Sequence, residues 1–315
     1  MKPRVSVIMA AYNSEKYIKE AIESVLDQTY RDLELIIVED AATDHTLQII
    51  QEFSDKRIRL LSNQENRGTL YSMRRAVKAA CGEFIAVLDS DDISYPDRIE
   101  KQVSFLQTHP DVLLCSTKAD LILGGKVKKG PDSEIKTMEE LHFSLLFSNE
   151  VVHSTVMFRK KELEKRNIRY RKFGYCHDYY LLLETAVAGR ICRMEETLGA
   201  YRIHNAQKTH VLSDQKRIGE TKTARKGYVK KQDDFSKAEK GILYKAIEGE
   251  LKTYREFEIL KKALKRYVKI CKLDKKNKIV KQECTEMFLQ QKNTYQRFFA
   301  GMTSSLIDKK RLCRL

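Results

Sequence analysis

The sequence contains no tryptophan, few prolines and no long apolar run. Its seven cysteines are scattered without a CxxC pair, so we expect neither a disulfide framework nor a zinc site, and a reducing compartment fits best. No stretch approaches the roughly 18 apolar residues that a membrane span needs. The apolar run VSVIM near the N-terminus is too short for a signal-peptide core. These absences predict a cytoplasmic protein.

Glycine is missing where a nucleotide cofactor would require it. The segment AAYNSEKY, residues 10–17, follows the first apolar run and contains no glycine. Glycine-rich loops at this place cradle phosphates in P-loop proteins and in dinucleotide-binding folds, because the backbone must approach the phosphate closely. The sequence therefore disfavours both classes, including a Rossmann dehydrogenase.

The positive charge is confined to one part of the chain. Residues 1–215 hold 31 Lys and Arg against 32 Asp and Glu, whereas residues 216–315 hold 28 against 12. Aromatic residues and arginines do not alternate there as a nucleic-acid stacking surface would require, so we expect no nucleic-acid partner. Two interpretations stay open, namely a solvated lysine-faced helical bundle and contact with an anionic membrane surface.

The first hundred residues alternate short apolar runs with helical patterns. The runs predict strands at 5–9, 33–38, 58–61 and 84–88, and apolar residues at helical spacing predict a helix after each one. Strands separated by helices favour right-handed crossovers and a parallel sheet covered on both faces. Ligands of such sheets bind beyond the carboxyl ends of the strands.

The remainder divides into two regions. Between 110 and 215 the patterns are mixed, with the apolar run VLLCS at 112–116, a polar turn at 124–133, the segment HSTVMFRK at 153–160 and predicted helices near 137–147 and 179–189. After residue 215 lysine-rich helical patterns dominate. We therefore predict one α/β domain at 1–215 and a basic α-helical region at 216–315.

Three aspartates follow the fourth predicted strand in the sequence VLDSDDISYP, residues 87–96. Asp89, Asp91 and Asp92 repel one another, and a hard divalent cation would relieve that repulsion while leaving positions open for substrate phosphates. A lone DxD is also common as a solvated turn or a helix start. Its place at the end of a central strand favours a metal ion, Mn²⁺ or Mg²⁺, that holds a diphosphate.

Several segments in order resemble glycosyltransferase family 2, whose members have the GT-A fold. VSVIMAAYN, LELIIVEDAATDHT, NRG, CGEF and FIAVLDSDDISYPDRIEKQ resemble its nucleotide-binding half, here about 1–115. HSTVMFRK, CHDYYLLLETAVAGRI and YRIHNAQKT resemble its acceptor half, about 116–215. Because tryptophan is absent, the QxxRW signature of processive polysaccharide synthases is missing, and an enzyme that adds one sugar at a time is the better match.

The resemblance implies a metal-dependent, inverting transfer of a sugar from a nucleoside-diphosphate donor, with a UDP-sugar favoured, to an acceptor hydroxyl. Many acceptors in this family are lipid-linked, so the resemblance implies a sugar or lipid-linked acceptor in surface polysaccharide or glycolipid assembly. Lipid-linked acceptors favour peripheral contact of the basic helices with the inner face of the membrane.

The resemblance also assigns residues to the donor. Ala10 and Tyr12 would line the nucleotide pocket, with Tyr12 stacked on the base, and Asp40 would accept a hydrogen bond from a ring nitrogen of the base. Either Arg67 or Arg74 would approach the diphosphate or the sugar, because MRRA replaces the usual Arg-Asn pair.

The remaining assignments concern the metal ion and the base. Asp89, Ser90 and Asp91 form the DxD segment, with Asp89 and Asp91 at the ribose and the metal ion, and His204 is a candidate third ligand or diphosphate contact. Asp92 either supports these residues from behind or caps the following turn.

Asp178 matches the catalytic base of the family. Without the resemblance it would be interpreted as the N-cap of the helix that follows. His177 stands where the family commonly has Glu. His153 and His210 are expected to be ordinary surface residues.

Three other functions remain open. A haloacid-dehalogenase-like phosphatase also uses a DxD after a strand, but after the first strand rather than the fourth. A sugar nucleotidyltransferase would share the sheet and the metal ion, but it would require a glycine-rich, basic loop after the first strand. A non-catalytic scaffold with a basic binding tail is the third alternative.

Overall fold

The structure is a computed structural model that describes residues 3–131, 135, 137–172, 176–205, 207, 214–251, 253–273 and 277–289. The chain forms two compact units. The first consists of Met1–Asp132 and Val151–Ser213, and the second of Ser133–Glu150 and Asp214–Leu315. Residues 133–150, which the sequence analysis placed in the α/β domain, thus group with the C-terminal helices.

The first unit is an α/β structure. Its elements in chain order are β1 Val5–Ala11, α1 Ile18–Leu26, β2 Leu33–Glu39, α2 Thr46–Gln51, β3 Ile58–Ser62, α3 Thr69–Ala79, β4 Phe84–Val87, β5 Ile93–Ser94, α4 Arg98–Thr108, β6 Val112–Leu123 and β7 Lys126–Lys128. After the segment that belongs to the second unit come a 3₁₀ turn His153–Thr155, β8 Met157–Arg159, α6 Lys160–Lys165, α7 His177–Ala188 and β9 Arg190–Ile203. The four strands predicted in the first hundred residues are confirmed.

The described strands join into one mixed sheet. Its order is β3-β2-β1-β4-β8-β6-β9-β5, and β7 pairs with β6. The pairs β1–β2, β1–β4 and β2–β3 are parallel. Residues of β1 and β2 are almost all buried, as expected for central strands covered on both faces.

The sheet topology determines which loops meet. Strand β8 runs antiparallel to both β4 and β6, so β4 and β6 point the same way, and β9 is parallel to β6. The loops that follow β1, β2, β4 and β9 therefore leave the sheet at one edge. The turn that precedes β8 lies at the same edge, because β8 starts where β4 ends.

Helices cover the parallel strands with apolar faces. Helix α1 buries Ile18, Ala21, Ile22 and Val25, which recur at helical spacing. Helix α4 buries Ile99, Val103 and Leu106 in the same way. Full burial of each large aliphatic side chain contributes about 1.5–3 kcal/mol, so these stripes fix the helices on the sheet.

The second unit is helical. It contains α5 Met138–Ser144, α8 Asp214–Lys231, α9 Lys237–Glu248, α10 Tyr254–Ile270 and α11 Lys278–Leu289. Thr137, Ser236 and Thr253 each begin a helix with a capping box, in which the cap and a Glu three residues later satisfy each other's backbone N–H groups. None of the described helices combines the length and the apolar composition that a bilayer crossing requires.

Contacts inside the second unit connect the early segment to the late helices. The Tyr267 hydroxyl donates to the His142 carbonyl at 3.1 Å, and the Asn277 amide donates to Glu140 at 2.6 Å. The ring of Phe143 stacks against Tyr267 with 5.3 Å between centroids. Helix α5 is therefore part of the core of this unit.

Candidate active site

The three aspartates of the loop after β4 differ in exposure. Asp92 is fully buried, whereas the side chains of Asp91 and Asp89 are 22% and 36% exposed. The loop thus presents two carboxylates to solvent at the carboxyl edge of the sheet and keeps the third inside.

Asp92 connects the loop to its neighbours. Its Oδ1 accepts a hydrogen bond from the Arg202 backbone N–H at 2.8 Å, and its Oδ2 contacts the Ser154 hydroxyl. Burial, followed by the charges of Asp91 and Asp89, raises the pKa of Asp92 well above its ordinary value. Of the two expected roles, the structure places Asp92 behind the loop as a support.

Asp91 and His204 meet directly. His204 follows β9, and its Nε2 lies 2.9 Å from Asp91 Oδ2. The His204 ring lies beside Tyr17, with 4.7 Å between ring centroids. Burial and the nearby charge of Asp89 raise the pKa of Asp91, although the His204 contact opposes them.

Arg202 is a site residue that the sequence analysis missed. Its Nε donates to the Asp91 carbonyl at 2.7 Å, its Nη2 pairs with Glu20 at 2.5 Å, and its guanidinium lies 4.7 Å from the centre of the Tyr17 ring. Arg202 lies two residues before His204, and this proximity in sequence was a usable signal. Arg202 fastens the end of β9 to the acidic loop.

Asp89 is held by the turn His153–Thr155. Its backbone N–H donates to the Ser154 hydroxyl at 3.2 Å, and that hydroxyl lies 3.0 Å from Asp89 Oδ2. His153 Nδ1 lies 3.8 Å from Asp89 Oδ1. Burial raises the pKa of Asp89, but the contacts with His153 and Ser154 outweigh it, so the pKa is lowered.

The expectation that His153 is a surface residue is wrong. Its side chain is 12% exposed, and its Nε2 lies 2.9 Å from the Tyr170 hydroxyl. The His177 ring packs against both, with centroids 6.4 Å from His153 and 6.0 Å from Tyr170. These three rings form a cluster beside Asp89 that we call the His153 cluster. His210 lies outside the described residues.

Asp178 lies near this cluster. Helix α7 begins at His177 with Cys176 as its N-cap, so Asp178 is the second helical residue and not the cap. The pKa of Tyr170 is raised well above its ordinary value by burial and then by the charges of Asp89 and Asp178. Burial lowers the pKa of His153, but the contact with Asp89 and the charges of Asp89 and Asp178 raise it overall. Asp89 and Asp178 therefore both lie close enough to the His153 cluster for their charges to affect it.

Asp40 follows β2 and is almost fully buried. Its Oδ1 accepts hydrogen bonds from the Asn63 amide at 2.5 Å and the Arg67 backbone N–H at 2.9 Å. Its Oδ2 accepts from the Gly68 backbone N–H at 2.8 Å. Asp40 thereby fixes the loop that leads into α3.

The loop after β1 is joined to the acidic loop. The hydroxyls of Ser14 and Ser90 lie 2.7 Å apart, and the Ser14 backbone N–H donates to the Thr46 hydroxyl at 2.7 Å. Ala10 lies on β1 opposite Val38. Tyr12 presents a 41% exposed side chain at the edge of the sheet.

The two candidate arginines point to different neighbours. The Arg67 guanidinium pairs with Glu65 at 2.9 Å and lies 4.8 Å from the centre of the Tyr71 ring. Arg74 Nε donates to the Tyr170 carbonyl at 2.6 Å. Arg74 is therefore tied to Tyr170 of the His153 cluster, whereas the Arg67 guanidinium lies beside Glu65 and Tyr71.

Arg98 lies beneath the acidic loop and was also missed. It is fully buried, and its Nη2 donates to the Val87 carbonyl at 2.8 Å while its Nε donates to Gln102 at 3.0 Å. Burial lowers the pKa of Arg98 to about 10, and the charges of Asp92 and Asp89 act in the opposite direction. A buried cation here compensates part of the negative charge of the loop.

The arrangement fits a divalent cation in part. Within the described residues, no group of three His, Cys, Asp or Glu side chains is placed to ligate one ion, so Asp89, Asp91 and His204 do not meet as a set of three. Asp91 and His204 do meet, and Mg²⁺-type sites commonly use one or two protein ligands with substrate phosphates. A cation would also offset burial and the charge of Asp89, which together raise the pKa of Asp91.

Comparison with known proteins identifies the class. The family model described as "Glycosyl transferase family 2" matches residues 6–181. The match spans more than half of the chain, so the chain belongs to this family and is a glycosyltransferase. The resemblance noted in the sequence is confirmed, and the phosphatase and nucleotidyltransferase alternatives lose their support.

Two relatives illustrate the match. An uncharacterised glycosyltransferase of Haemophilus influenzae is 29% identical over 300 residues, which cover 91% of this chain and 86% of that protein. A protein of Escherichia coli named UDP-Glc:alpha-D-GlcNAc-diphosphoundecaprenol beta-1,3-glucosyltransferase WfaP is 31% identical over 208 residues, 64% of this chain and 77% of that protein.

Two solved structures share the fold. S. aureus TarS in complex with UDP-GlcNAc has a TM-score of 0.64 and 19% identity, and the match covers 94% of this chain and 90% of that chain. The mannosyltransferase PcManGT from Pyrobaculum calidifontis, in complex with GDP-Man and Mn²⁺, has a TM-score of 0.54 and 18% identity over 95% of this chain and 85% of that chain. The expected GT-A fold is confirmed.

Proposed function

We propose that this glycosyltransferase moves a sugar from a nucleoside-diphosphate sugar, with a UDP-sugar favoured, to an acceptor hydroxyl with inversion at the anomeric carbon. The observation that carries the proposal is that the His177 ring, next to Asp178 in sequence, packs against His153 and Tyr170, while His153 Nδ1 lies 3.8 Å from Asp89 Oδ1. Asp89 belongs to the loop assigned to the donor, and Asp178 is the assigned base. This proximity supports one site for the donor and the acceptor.

Asp178 accepts the proton of the acceptor hydroxyl, and the hydroxyl oxygen attacks the anomeric carbon from the face opposite the diphosphate. The bond between that carbon and the diphosphate oxygen breaks, and its electron pair leaves with the nucleoside diphosphate. One displacement from the opposite face inverts the configuration.

Asp91 and His204 would hold Mn²⁺ or Mg²⁺, which would supply positive charge beside the donor diphosphate. Asp89 would contact the ribose and the edge of the metal site. The 2.9 Å contact between Asp91 and His204 supports this pairing, as does the Mn²⁺ in the PcManGT structure. Arg74 is the better candidate for the sugar, because it is tied to Tyr170.

The nucleoside would lie against the loops after β1 and β2. The exposed ring of Tyr12 is available for stacking on the base, with Ala10 and Ser90 lining the pocket. Asp40 Oδ2 accepts one hydrogen bond from the described residues, and its second lone pair would accept the N–H of a base such as uracil. UDP-GlcNAc in the TarS structure supports a uridine nucleotide.

For the acceptor we propose a sugar or a lipid-linked sugar in surface polysaccharide or glycolipid assembly. The name of the E. coli relative specifies a diphosphoundecaprenol-linked acceptor, which supports this choice.

We further propose that the protein is cytoplasmic and contacts the inner face of the membrane through its basic helices. Helix α10 exposes Arg255, Lys262 and Lys269, while Leu260, Leu264 and Tyr267 are buried. Sedimentation with anionic lipid vesicles should therefore decrease as salt is added. Sedimentation that does not respond to salt would count against membrane contact.

A thermal-shift screen of UDP, GDP and dTDP with and without MnCl₂ tests the donor assignment. We expect UDP with Mn²⁺ to raise Tm, since ligand at 100 times Kd stabilises by about 2.7 kcal/mol. Asp91→Asn should lose the metal-dependent part of the shift. Asp111→Asn is the matched control, because Asp111 is an exposed aspartate paired with Arg190. If none of the three diphosphates stabilises the wild type with Mn²⁺, the donor assignment is wrong.

A further inference from the structure

Two consecutive residues of the turn His153–Thr155 face the two oxygens of one carboxylate. The Ser154 hydroxyl lies 3.0 Å from Asp89 Oδ2, and His153 Nδ1 lies 3.8 Å from Asp89 Oδ1. The Ser154 hydroxyl also accepts the Asp89 backbone N–H at 3.2 Å. Rotation of the Asp89 side chain would therefore break its contact with Ser154 and its contact with His153.

The turn itself is fixed from several directions. The Thr155 hydroxyl contacts the Thr117 carbonyl at 3.2 Å, and the Gln102 amide donates to the Thr155 carbonyl at 2.8 Å. The Val87 backbone N–H donates to the Val156 carbonyl at 2.8 Å, which joins the end of β4 to the end of the turn. Asp89 and its two partners thus belong to one rigid piece of the sheet edge.

Tyr170 determines which nitrogen of His153 faces Asp89. The Tyr170 hydroxyl lies 2.9 Å from His153 Nε2, and the two rings pack edge to face with 5.8 Å between centroids. Tyr170 is buried, and its carbonyl accepts Arg74 Nε at 2.6 Å. With Nε2 engaged by Tyr170, Nδ1 is directed at the carboxylate.

We propose that His153 is a positioning residue of the donor site: held by Tyr170, it fixes the Asp89 carboxylate in the orientation that receives the donor nucleotide. The inference rests on the proposed function, which assigns Asp89 to the donor. A residue that only fills space would contribute to folding but would not act through Asp89, and the experiment separates these roles.

The first measurement is the Kd of UDP in the presence of MnCl₂, by isothermal titration calorimetry on the full chain. Loss of a partner that orients a ligand of a metal site typically costs about ten- to hundredfold in affinity, and we expect a loss of this order in His153→Phe because Asp89 lies at the edge of the proposed metal site. His153→Asn should retain most of the affinity, because its amide nitrogen replaces Nδ1. Tyr170→Phe should lose an intermediate amount. His109→Phe is the matched control, since His109 stacks on Phe105 in another part of the unit.

The second measurement repeats His153→Phe in an Asp89→Asn background. If His153 acts through Asp89, the second substitution should cause no further loss of UDP affinity. An equal loss in both backgrounds, or unchanged UDP affinity in His153→Phe, would overturn the inference. If His153→Phe does not fold, His153→Gln replaces it, because its amide reaches Tyr170 but offers no nitrogen at the Nδ1 position. A wild type that does not bind UDP with Mn²⁺ would overturn the proposed function together with this inference.

Discussion

Asp89, Asp91 and Asp92 occupy three environments within one short loop. Asp92 is buried among other carboxylates and has a raised pKa, Asp91 contacts His204, and Asp89 has a lowered pKa beside His153 and Ser154. The three residues are of one type, so their different surroundings determine their properties. Asp92 supports the loop from inside, whereas Asp89 and Asp91 are exposed enough to face a substrate.

Asp55 provides a test of pH dependence at a single residue away from the site. It pairs with the Arg57 guanidinium at 2.8 Å and accepts the Arg57 backbone N–H at 2.8 Å, and these bonds lower its pKa to about 2. A carboxyl with a lowered pKa stabilises the fold when it is ionised. Its contribution is therefore complete above the ordinary pKa near 4 and is lost as the pH falls to about 2.

We expect Asp55→Asn to lower the free energy of unfolding by about 1 kcal/mol at pH 7, after allowance for solvent screening of this partly exposed pair. The difference from wild type should shrink as the pH falls from 4 to 2. Urea denaturation at a series of pH values measures it. A difference that stays constant from pH 7 to pH 2 would show that the Arg57 bonds do not depend on the charge of Asp55.

The placement of a candidate residue was predictable where its signal is local. Asp89 and Asp91 directly follow the buried strand β4, and the structure has them at its carboxyl end, where ligands of such sheets bind, while their roles stay a prediction. His153 was mispredicted because its burial depends on Asp89 and Tyr170, which lie far away in sequence. A single sequence does not show such contacts.

At the scale of elements, the turn before β4 constrains the sheet through Gly82. A Cβ placed on Gly82 would lie 2.6 Å from the Ser6 backbone nitrogen and 2.8 Å from the Val5 carbonyl carbon. Both atoms belong to β1, which pairs with β4 and cannot move aside. The glycine is therefore required by close approach of two backbones.

We expect Gly82→Ala to lower the free energy of unfolding by about 1–3 kcal/mol, as overpacking of a tight interior does. Gly241→Ala is the matched control: it lies in α9 with no neighbour within 4 Å of the new Cβ, and it should stabilise its helix by about 0.5–1 kcal/mol. Chemical denaturation of both variants measures the two effects. Equal stability of Gly82→Ala and wild type would mean that β1 and the turn can separate.

Strands β1, β2 and β4 were predictable because each is a continuous apolar run buried on both faces, and β3, which is only partly buried, was predictable from its short run IRLL. Strand β9, Arg190–Ile203, was not predicted, because exposed residues such as Glu195 and Glu196 interrupt it and its register with β6 shifts along its length. An irregular, partly exposed strand lacks the regular alternation that marks a strand in sequence.

At the scale of the whole molecule, the two units are interleaved along the chain. Residues 133–150 leave the first unit, and their helix α5 contacts α10 and the segment before α11 through the Tyr267 and Asn277 bonds. The sequence predicted a single boundary near 215, because composition and charge change there. The chain also passes into the second unit after Asp132 and returns at Val151, without such a change in composition or charge. Composition alone could therefore not reveal these two boundaries.

Truncation after Ser213 should therefore damage the protein. The remaining chain would keep residues 133–150 but lose the C-terminal helices of the same unit. Apolar side chains that are buried in the full chain, such as Leu141, Phe143 and Leu146, would then be exposed to solvent. We expect this truncation to aggregate in size-exclusion chromatography. A second truncation, in which a short Gly-Ser linker also replaces 133–150, should aggregate less. Equal monomer yields would contradict the interleaved arrangement.

The central claim is that Asp178 removes the proton of the acceptor while a separate set of residues holds the donor. The most direct test compares sugar transfer by wild type and Asp178→Asn, using the UDP-sugar that supports transfer, with the UDP affinity in Mn²⁺ measured in parallel. We predict that the transfer rate falls by about 10²–10⁴-fold, the usual contribution of a general base, while the affinity is unchanged. A variant that binds UDP normally and transfers sugar at the wild-type rate would contradict the account.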